Sequence, residues 1–167
     1  MNLILVRHAI AFERDPTRWP DDSQRPLTQM GIERFEQSAR GLKRVAGKVD
    51  LVLSSPFVRA AQTARILQEV AGWPKFVPCV ELEPSHDPQS LVGFLQQNHT
   101  HGVVALVGHE PLLGELAGVL LSGAGSPAQS FKKGGAACFR SDSGVNEGAM
   151  TLSWWLPPNV TRKLGSA

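Results

Sequence analysis

The sequence has little of what marks secreted, metal-binding or membrane-spanning proteins. Its 167 residues include only two cysteines, Cys79 and Cys138, which lie far apart and outside any metal-ligand spacing. We expect both to be buried free thiols, as in proteins of a reducing cytoplasm. No apolar run approaches the about 20 residues that a membrane span needs, and the first residues lack the basic start and long apolar segment of a secretion signal. The expected location is therefore cytoplasmic, with no membrane partner.

A strong excess of charge of one sign is also missing. The formal net charge is +2, with 19% charged and 42% hydrophobic residues, a balance typical of globular rather than disordered chains. Near neutrality argues against a nucleic-acid partner, because nucleic-acid-binding proteins usually carry a concentrated basic patch. At this length we expect one domain, residues 1–167, with a sizeable core.

Short apolar runs that alternate with helical patterns predict the fold class. Residues 3–6, 51–53 and 103–107 are typical of strands buried on both faces, and Pro78 indicates that a weaker strand at 76–80 lies at an edge. Helices are predicted after Thr28, after Ser54-Ser55 with Pro56 in the first turn, over 89–98 and after Pro111, and a closing hairpin over 136–140 and 150–155. The order predicts a single-domain α/β fold whose mainly parallel central sheet has helices on both faces.

Polar side chains follow three of the predicted strands where each one ends. Arg7 and His8 follow the first, Ser55 and Arg59 the second, and His109 the third. In an open parallel sheet, ligands bind outside the carboxyl ends of the strands, so these residues are expected to face one site. Arginine offers planar, forked donors that match phosphate oxygens, and a helix start adds backbone donors. The pattern predicts a site for a multiply charged oxyanion such as phosphate or sulfate.

Two histidines in such a site can play different parts in phosphoryl transfer. One must be neutral to attack phosphorus, and nearby arginines favour the neutral imidazole. A backbone carbonyl that accepts from one ring nitrogen would leave the other nitrogen free as the nucleophile. The second histidine, if charged, can donate to the phosphoryl oxygens. Covalent catalysis by histidine splits one displacement into two.

The sequence resembles the histidine phosphatase superfamily, which includes the phosphoglycerate mutases. The matching stretches, in order, are residues 1–9 (MNLILVRHA), 25–31 (RPLTQMG), 53–64 (LSSPFVRAAQTA) and 107–111 (VGHEP). The short length and residues 81–84 (ELEP) look like the SixA-type phosphohistidine phosphatases within it. This resemblance implies a phosphoglycerate mutase-like fold and a phosphatase that needs no cofactor.

Carried over by residue, the resemblance implies that His8 is the phosphorylated nucleophile. Arg7, Arg59 and His109 would hold the phosphoryl oxygens, with Ser55 as a further contact. Ala9 stands where the signature usually has glycine, and its methyl group is expected to narrow the pocket slightly.

The general acid that larger relatives use has several candidates here, namely Glu81, Glu83, His86 and Asp87. A phosphohistidine needs a strong acid less than a phosphate monoester does, because a protonated imidazole leaves as a neutral group. An absent or displaced acid would therefore favour phosphohistidine. The expected substrate is a phosphohistidine on a signalling or phosphotransfer protein.

Two other functions stay open at this stage. The same scaffold could serve as a small-molecule phosphomonoesterase, or as a non-catalytic phosphate-binding module. No metal is expected, because the histidines lack a spacing such as His-Glu-x-x-His and the arginines would repel a cation. His99 and His101 are expected to be surface residues of a polar turn.

Overall fold

The computed structural model describes residues 1–98 and 102–166, so His99 and His101 lie outside the described residues. The strands are β1 (Asn2–Arg7), β2 (Leu51–Ser54), β3 (Val77–Pro78), β4 (Val103–Gly108), β5 (Ala136–Arg140) and β6 (Thr151–Leu156). The helices are α1 (Gln29–Ala46), α2 (Val58–Ile66), α3 (Pro88–Asn98), α4 (Leu112–Ser122) and α5 (Pro158–Ser166). Short 3-10 turns occur at Asp22–Gln24 and Val80–Leu82, and α2 continues into a π-helical turn, Leu67–Ala71.

The six strands form one mixed sheet in the order β3-β2-β4-β1-β5-β6. The first four are mutually parallel, whereas β5 runs antiparallel to β1 and β6 antiparallel to β5. The predicted α/β class, the edge position of β3 and the closing hairpin are confirmed. Because β2, β4 and β1 are adjacent and parallel, they end on one side of the sheet, which we call the carboxyl edge.

The sheet carries a separate apolar core on each face. In β1, Leu3 and Leu5 pack towards α3 and α4, whereas Ile4 and Val6 pack towards α1 and α2. Both faces are therefore covered, which explains why this strand is an unbroken apolar run. A strand fixed on both faces holds the residue at its exit in a defined position.

The starts of two helices show how well local signals predicted structure. Thr28 caps α1 as expected, accepting a hydrogen bond from the Gly31 N–H at 2.9 Å. The prediction for α2 was wrong by two residues, since the helix begins at Val58 and Pro56 lies before it. The Ser55 hydroxyl accepts from the Phe57 N–H at 3.3 Å, and this local turn keeps Pro56 and Phe57 out of the helix.

Helix α5 was not predicted from the sequence, and it packs directly against α1. A Cβ atom at Gly41 would lie 2.0 Å from the Thr161 carbonyl oxygen, and one at Gly165 would lie 2.0 Å from the Gln37 oxygen. The two backbones are therefore in contact, which only glycine permits at these positions. None of the helices in the described part of the chain has the length and hydropathy of a membrane span.

Candidate active site

The carboxyl edge brings together the residues that the sequence singled out. His8 follows β1, His109 follows β4, and the centroids of their rings are 5.1 Å apart. Ser55 follows β2, and Arg59 lies in the first turn of α2 with its guanidinium 5.0 Å from the Phe57 ring. His8, Ser55, Arg59 and His109 are 6%, 0%, 3% and 1% exposed. A buried group of this composition needs an explanation other than stability.

His8 is held with one ring nitrogen bonded and the other free. Its Nδ1 lies 2.7 Å from the Ala9 carbonyl oxygen, and since a carbonyl only accepts, Nδ1 carries the proton. Nε2 has no hydrogen-bond partner among the residues that the structure describes. Burial, followed by the nearby arginine charges, lowers the pKa of His8 to about 3. The ring is therefore neutral at neutral pH, with a lone pair on Nε2.

His109 is bonded the opposite way, through Nε2 to the Ser55 hydroxyl at 2.9 Å. The Ser55 oxygen also accepts from the Phe57 N–H; we assign the hydroxyl proton to the bond with Nε2, and this assignment places the proton of His109 on Nδ1. That Nδ1 is buried and unpartnered among the described residues. Burial, then His8 and Arg59, lowers the pKa of His109 to about 2. His109 is thus a neutral donor, whereas the sequence interpretation considered a charged one.

In both arginines of the group, Arg7 and Arg59, terminal Nη atoms are hydrogen-bonded while the Nε atom has no partner in the described part of the chain. Arg59 Nη1 donates to the Asp22 carbonyl at 2.8 Å, and Nη2 pairs with the Asp22 carboxylate at 3.1 Å. Arg7 Nη1 donates to the Phe131 carbonyl at 2.5 Å. The Nε atoms of both arginines are buried without a partner in the described part of the chain. Unsatisfied buried cationic donors of this kind are suited to an anion.

Two neighbouring residues that the sequence did not single out complete this charge network. The Asp22 carboxylate also accepts from Arg25 Nε at 2.8 Å, and Arg25 Nη1 donates to the Phe12 carbonyl at 2.6 Å. The hydrogen bond from Arg25, more than any other cause, lowers the pKa of Asp22, which is therefore a carboxylate. For Arg25, the available sequence signal was its position in the matching stretch RPLTQMG. Asp22 lies outside every matching stretch, so the sequence offered no signal for it.

Glu110 supports Arg7 through the backbone of a third residue. Its carboxylate accepts from the Phe131 N–H at 3.2 Å, while the Phe131 carbonyl accepts from Arg7. Burial raises the pKa of Glu110. The pair of contacts fixes Phe131, whose ring also stacks on Trp155 with centroids 4.0 Å apart.

Ala9 fits its position without a glycine conformation. No non-glycine residue in the described ranges has a positive φ, and the Ala9 methyl group is buried in the apolar cluster that also contains Val6 and Phe35. Its N–H donates to the Thr63 hydroxyl at 3.0 Å, which in turn donates to the Arg59 carbonyl at 2.7 Å. Thr63 therefore ties the segment after His8 to α2.

The four candidate acids lie outside this contact network. Asp87 accepts from the Ser90 N–H and hydroxyl at 2.8 and 2.7 Å, so it caps α3. Glu81 accepts from the Cys79 thiol at 3.2 Å, and the His86 N–H donates to the Glu83 carbonyl at 3.2 Å. No hydrogen bond or ion pair among residues 1–98 and 102–166 joins these four to the two histidines or to Arg7 and Arg59. Among the described residues, the carboxylate that pairs directly with an arginine of the group is that of Asp22.

Fold and site together define the class, an α/β domain whose carboxyl edge presents two neutral histidines and several arginines. Residues 3–83 match the family model of the histidine phosphatase superfamily (branch 1). The phosphohistidine phosphatase SixA of Escherichia coli is 31% identical over 95% of this chain and 94% of its own length. An uncharacterized protein of Picosynechococcus is 32% identical over 84% of this chain and 86% of its own length.

A solved structure of a histidine phosphatase also matches this chain. The protein histidine phosphatase SixA complexed with tungstate superimposes with a TM-score of 0.81 at 28% identity, covering 95% of this chain and 98% of that one. The chain therefore belongs to the histidine phosphatase superfamily, and its fold is that of the SixA structures.

Proposed function

We propose that this phosphatase acts on phosphohistidine in a signalling or phosphotransfer protein, through a covalent intermediate at His8. The observation that carries the proposal is the 2.7 Å bond from His8 Nδ1 to the Ala9 carbonyl, which leaves a neutral Nε2 as a nucleophile beside unpartnered arginine donors. Two findings support the chemistry, since a relative is named phosphohistidine phosphatase SixA and a matching SixA structure is a complex with tungstate, a tetrahedral oxyanion.

In the first step, Nε2 of His8 attacks phosphorus opposite the substrate's P–N bond. The Nε2–P bond forms while the P–N bond breaks, and its electron pair stays on the leaving imidazole. That imidazole departs neutral, because its other nitrogen carries a proton. Arg7, Arg59 and the Nδ1–H of His109 donate to the phosphoryl oxygens as charge develops on them.

In the second step, water attacks phosphorus opposite Nε2. An O–P bond forms, the Nε2–P bond breaks with its electron pair returning to Nε2, and the product leaves as dihydrogen phosphate, which carries both protons of the water. The Nδ1–H bond to Ala9 persists throughout. The phosphorylated ring is therefore an imidazolium, which leaves more readily than a neutral ring would.

The charge state of Asp22 bears on the substrate class. Its lowered pKa, caused first by Arg25, makes it an ionised acceptor at neutral pH. An alkoxide leaving group needs a proton donor, whereas a protonated imidazole does not. An ionised carboxylate can also accept a hydrogen bond from that imidazole N–H. The site is therefore better suited to a P–N bond than to a phosphate monoester.

A substrate panel and intermediate trapping test the proposal. Turnover is measured on a phosphorylated histidine-phosphotransfer domain, phosphoserine, phosphotyrosine and a sugar phosphate, with His8→Ala beside the wild type. We expect preference for phosphohistidine, no turnover by His8→Ala, and an acid-labile phosphoryl group located on His8 by mass spectrometry. Equal turnover of sugar phosphates would overturn the substrate class. Phosphate binding without turnover of any substrate would identify a non-catalytic module.

A further inference from the structure

A cleft lined by three cationic side chains lies beside the segment that follows His8. Arg34 of α1, Lys133 of the loop before β5 and Arg162 of α5 line it, and we call it the cationic cleft. Its other lining residues are apolar or small, namely Ala9, Ile10, Gly31, Phe35, Ser38, Gly134 and Pro158. No acidic residue is among the lining residues.

The cations of this cleft are poorly neutralised by the protein itself. Lys133 pairs with Glu13 at 3.7 Å, but the Glu13 side chain is 93% exposed, so solvent screens that pair strongly. Arg34 and Arg162 have no carboxylate within ion-pair distance in the described part of the chain. Three positively charged side chains that line one cleft produce a local potential that attracts an anion.

The cleft is coupled to the catalytic group through a shared stretch of backbone. The Gly134 N–H donates to the His8 carbonyl at 3.0 Å, and Ala9 and Ile10, which directly follow His8, line the cleft. Consecutive Cα atoms are about 3.8 Å apart, so the wall of the cleft begins at the residue that follows the nucleophile. The backbone contact between Gly41 and Thr161 fixes α5, and with it Arg162, against α1.

The form of the cleft indicates what it binds. Arg34 is exposed, and Lys133 and Arg162 are half-exposed, so the three long side chains form a rim rather than an enclosure. Rim charges of this kind steer and orient a protein partner more than they hold a small free ligand. The interior of the cleft, about 10 Å³, holds no more than one water molecule, so a ligand must bind at the rim. We propose that the three cations at the rim of the cationic cleft bind an acidic side chain of the phosphoprotein substrate, next to its phosphohistidine. The inference rests on the proposed function and adds a requirement for acidic flanking residues.

Two phosphohistidine peptides separate this inference from the proposed function. They are identical except that glutamates flank the phosphohistidine in one and glutamines in the other. Turnover of either by the wild type tests the phosphatase, and the ratio of the two kcat/KM values tests the cleft. One exposed ion pair changes affinity by about 1.5- to 5-fold, so we expect the glutamate peptide to be preferred by about tenfold at low salt and less at high salt.

The decisive variant is Arg34→Gln, Lys133→Gln and Arg162→Gln combined. The chain offers a matched control in Arg40→Gln, Lys132→Gln and Lys163→Gln, which removes the same charge from exposed positions of the same three elements. We expect the cleft variant to lose the glutamate preference while turning over the glutamine peptide like the wild type, and the control to keep the preference.

Three results would overturn the inference. One is an unchanged preference in the cleft variant, and another is an equal loss in the control, which would indicate general charge steering. The third is equal loss on both peptides, which would place the cations in the catalytic pocket itself. Failure of the wild type to hydrolyse either peptide would instead refute the proposed function, and the cleft inference with it.

Discussion

Replacing Ser55 by alanine tests whether this hydroxyl sets the tautomer of His109. Ser55 is 0% exposed, and its oxygen contacts both the Phe57 N–H and His109 Nε2. An unpaired buried polar group costs about 1–3 kcal/mol, so we expect the free energy of unfolding to fall by that order. The proton of His109 can then move to Nε2, which removes the donor at Nδ1. Full loss of one such donor lowers kcat by about 10²- to 10³-fold.

In Ser55→Ala the two tautomers of His109 would exchange, so a fraction of the molecules would still have the donor at Nδ1. We therefore expect a smaller loss, about 10- to 100-fold in kcat, with KM nearly unchanged. Ser54→Ala is the matched control, since Ser54 is equally buried and donates only to the Ser55 carbonyl at 3.0 Å. The ¹⁵N chemical shifts of His109 report the tautomer directly. Wild-type kcat in Ser55→Ala, or an unchanged tautomer, would refute this account of His109.

Three further predictions use other parts of the structure. Because folding lowers the pKa values of both site histidines, the unfolded chain binds more protons below pH 6.5. Stability measured by denaturant unfolding should therefore fall by about 1 kcal/mol for each histidine between pH 6.5 and 5.5, and by about 1.4 kcal/mol per pH unit below that; a flat profile from pH 6.5 to 5.5 would contradict this. Asp22→Asn removes the carboxylate that pairs with Arg59 Nη2 but keeps the backbone carbonyl that accepts from Nη1, and it should lower kcat/KM about tenfold, whereas Asp21→Asn should not. Gly41→Ala should lower the melting temperature, with about 1–3 kcal/mol lost, whereas Gly93→Ala in open space should not; similar melting temperatures would argue against close packing of α1 and α5.

The parts of the site that the sequence predicted are those fixed by regular structure. His8 and His109 stand directly after buried apolar strands, so the parallel sheet alone brings them together. Arg59 lies in the first turn of the helix that follows a third such strand. For these residues, position along the chain determines position in space.

The parts that escaped prediction depend on contacts between distant segments. Asp22 lies in a short 3-10 turn, 37 positions from Arg59 along the chain, and no local pattern encodes that pairing. Helix α5 packs through the Gly41 and Gly165 backbones rather than through a broad apolar stripe, so hydrophobic periodicity did not reveal it. The role of Ser55 was also hidden, because its partner His109 is 54 residues away.

The two histidines differ in whether their hydrogen-bond partner belongs to the backbone or to a side chain. The proton of His8 is fixed by the Ala9 carbonyl, an atom that every amino acid supplies, so side-chain replacement at position 9 cannot delete the contact. Alanine already stands there with an ordinary φ. The tautomer assigned to His109 depends on the Ser55 side chain, which a single substitution removes. A substitution at position 55 can therefore change the tautomer of His109, whereas a substitution at position 9 leaves the tautomer of His8 unchanged.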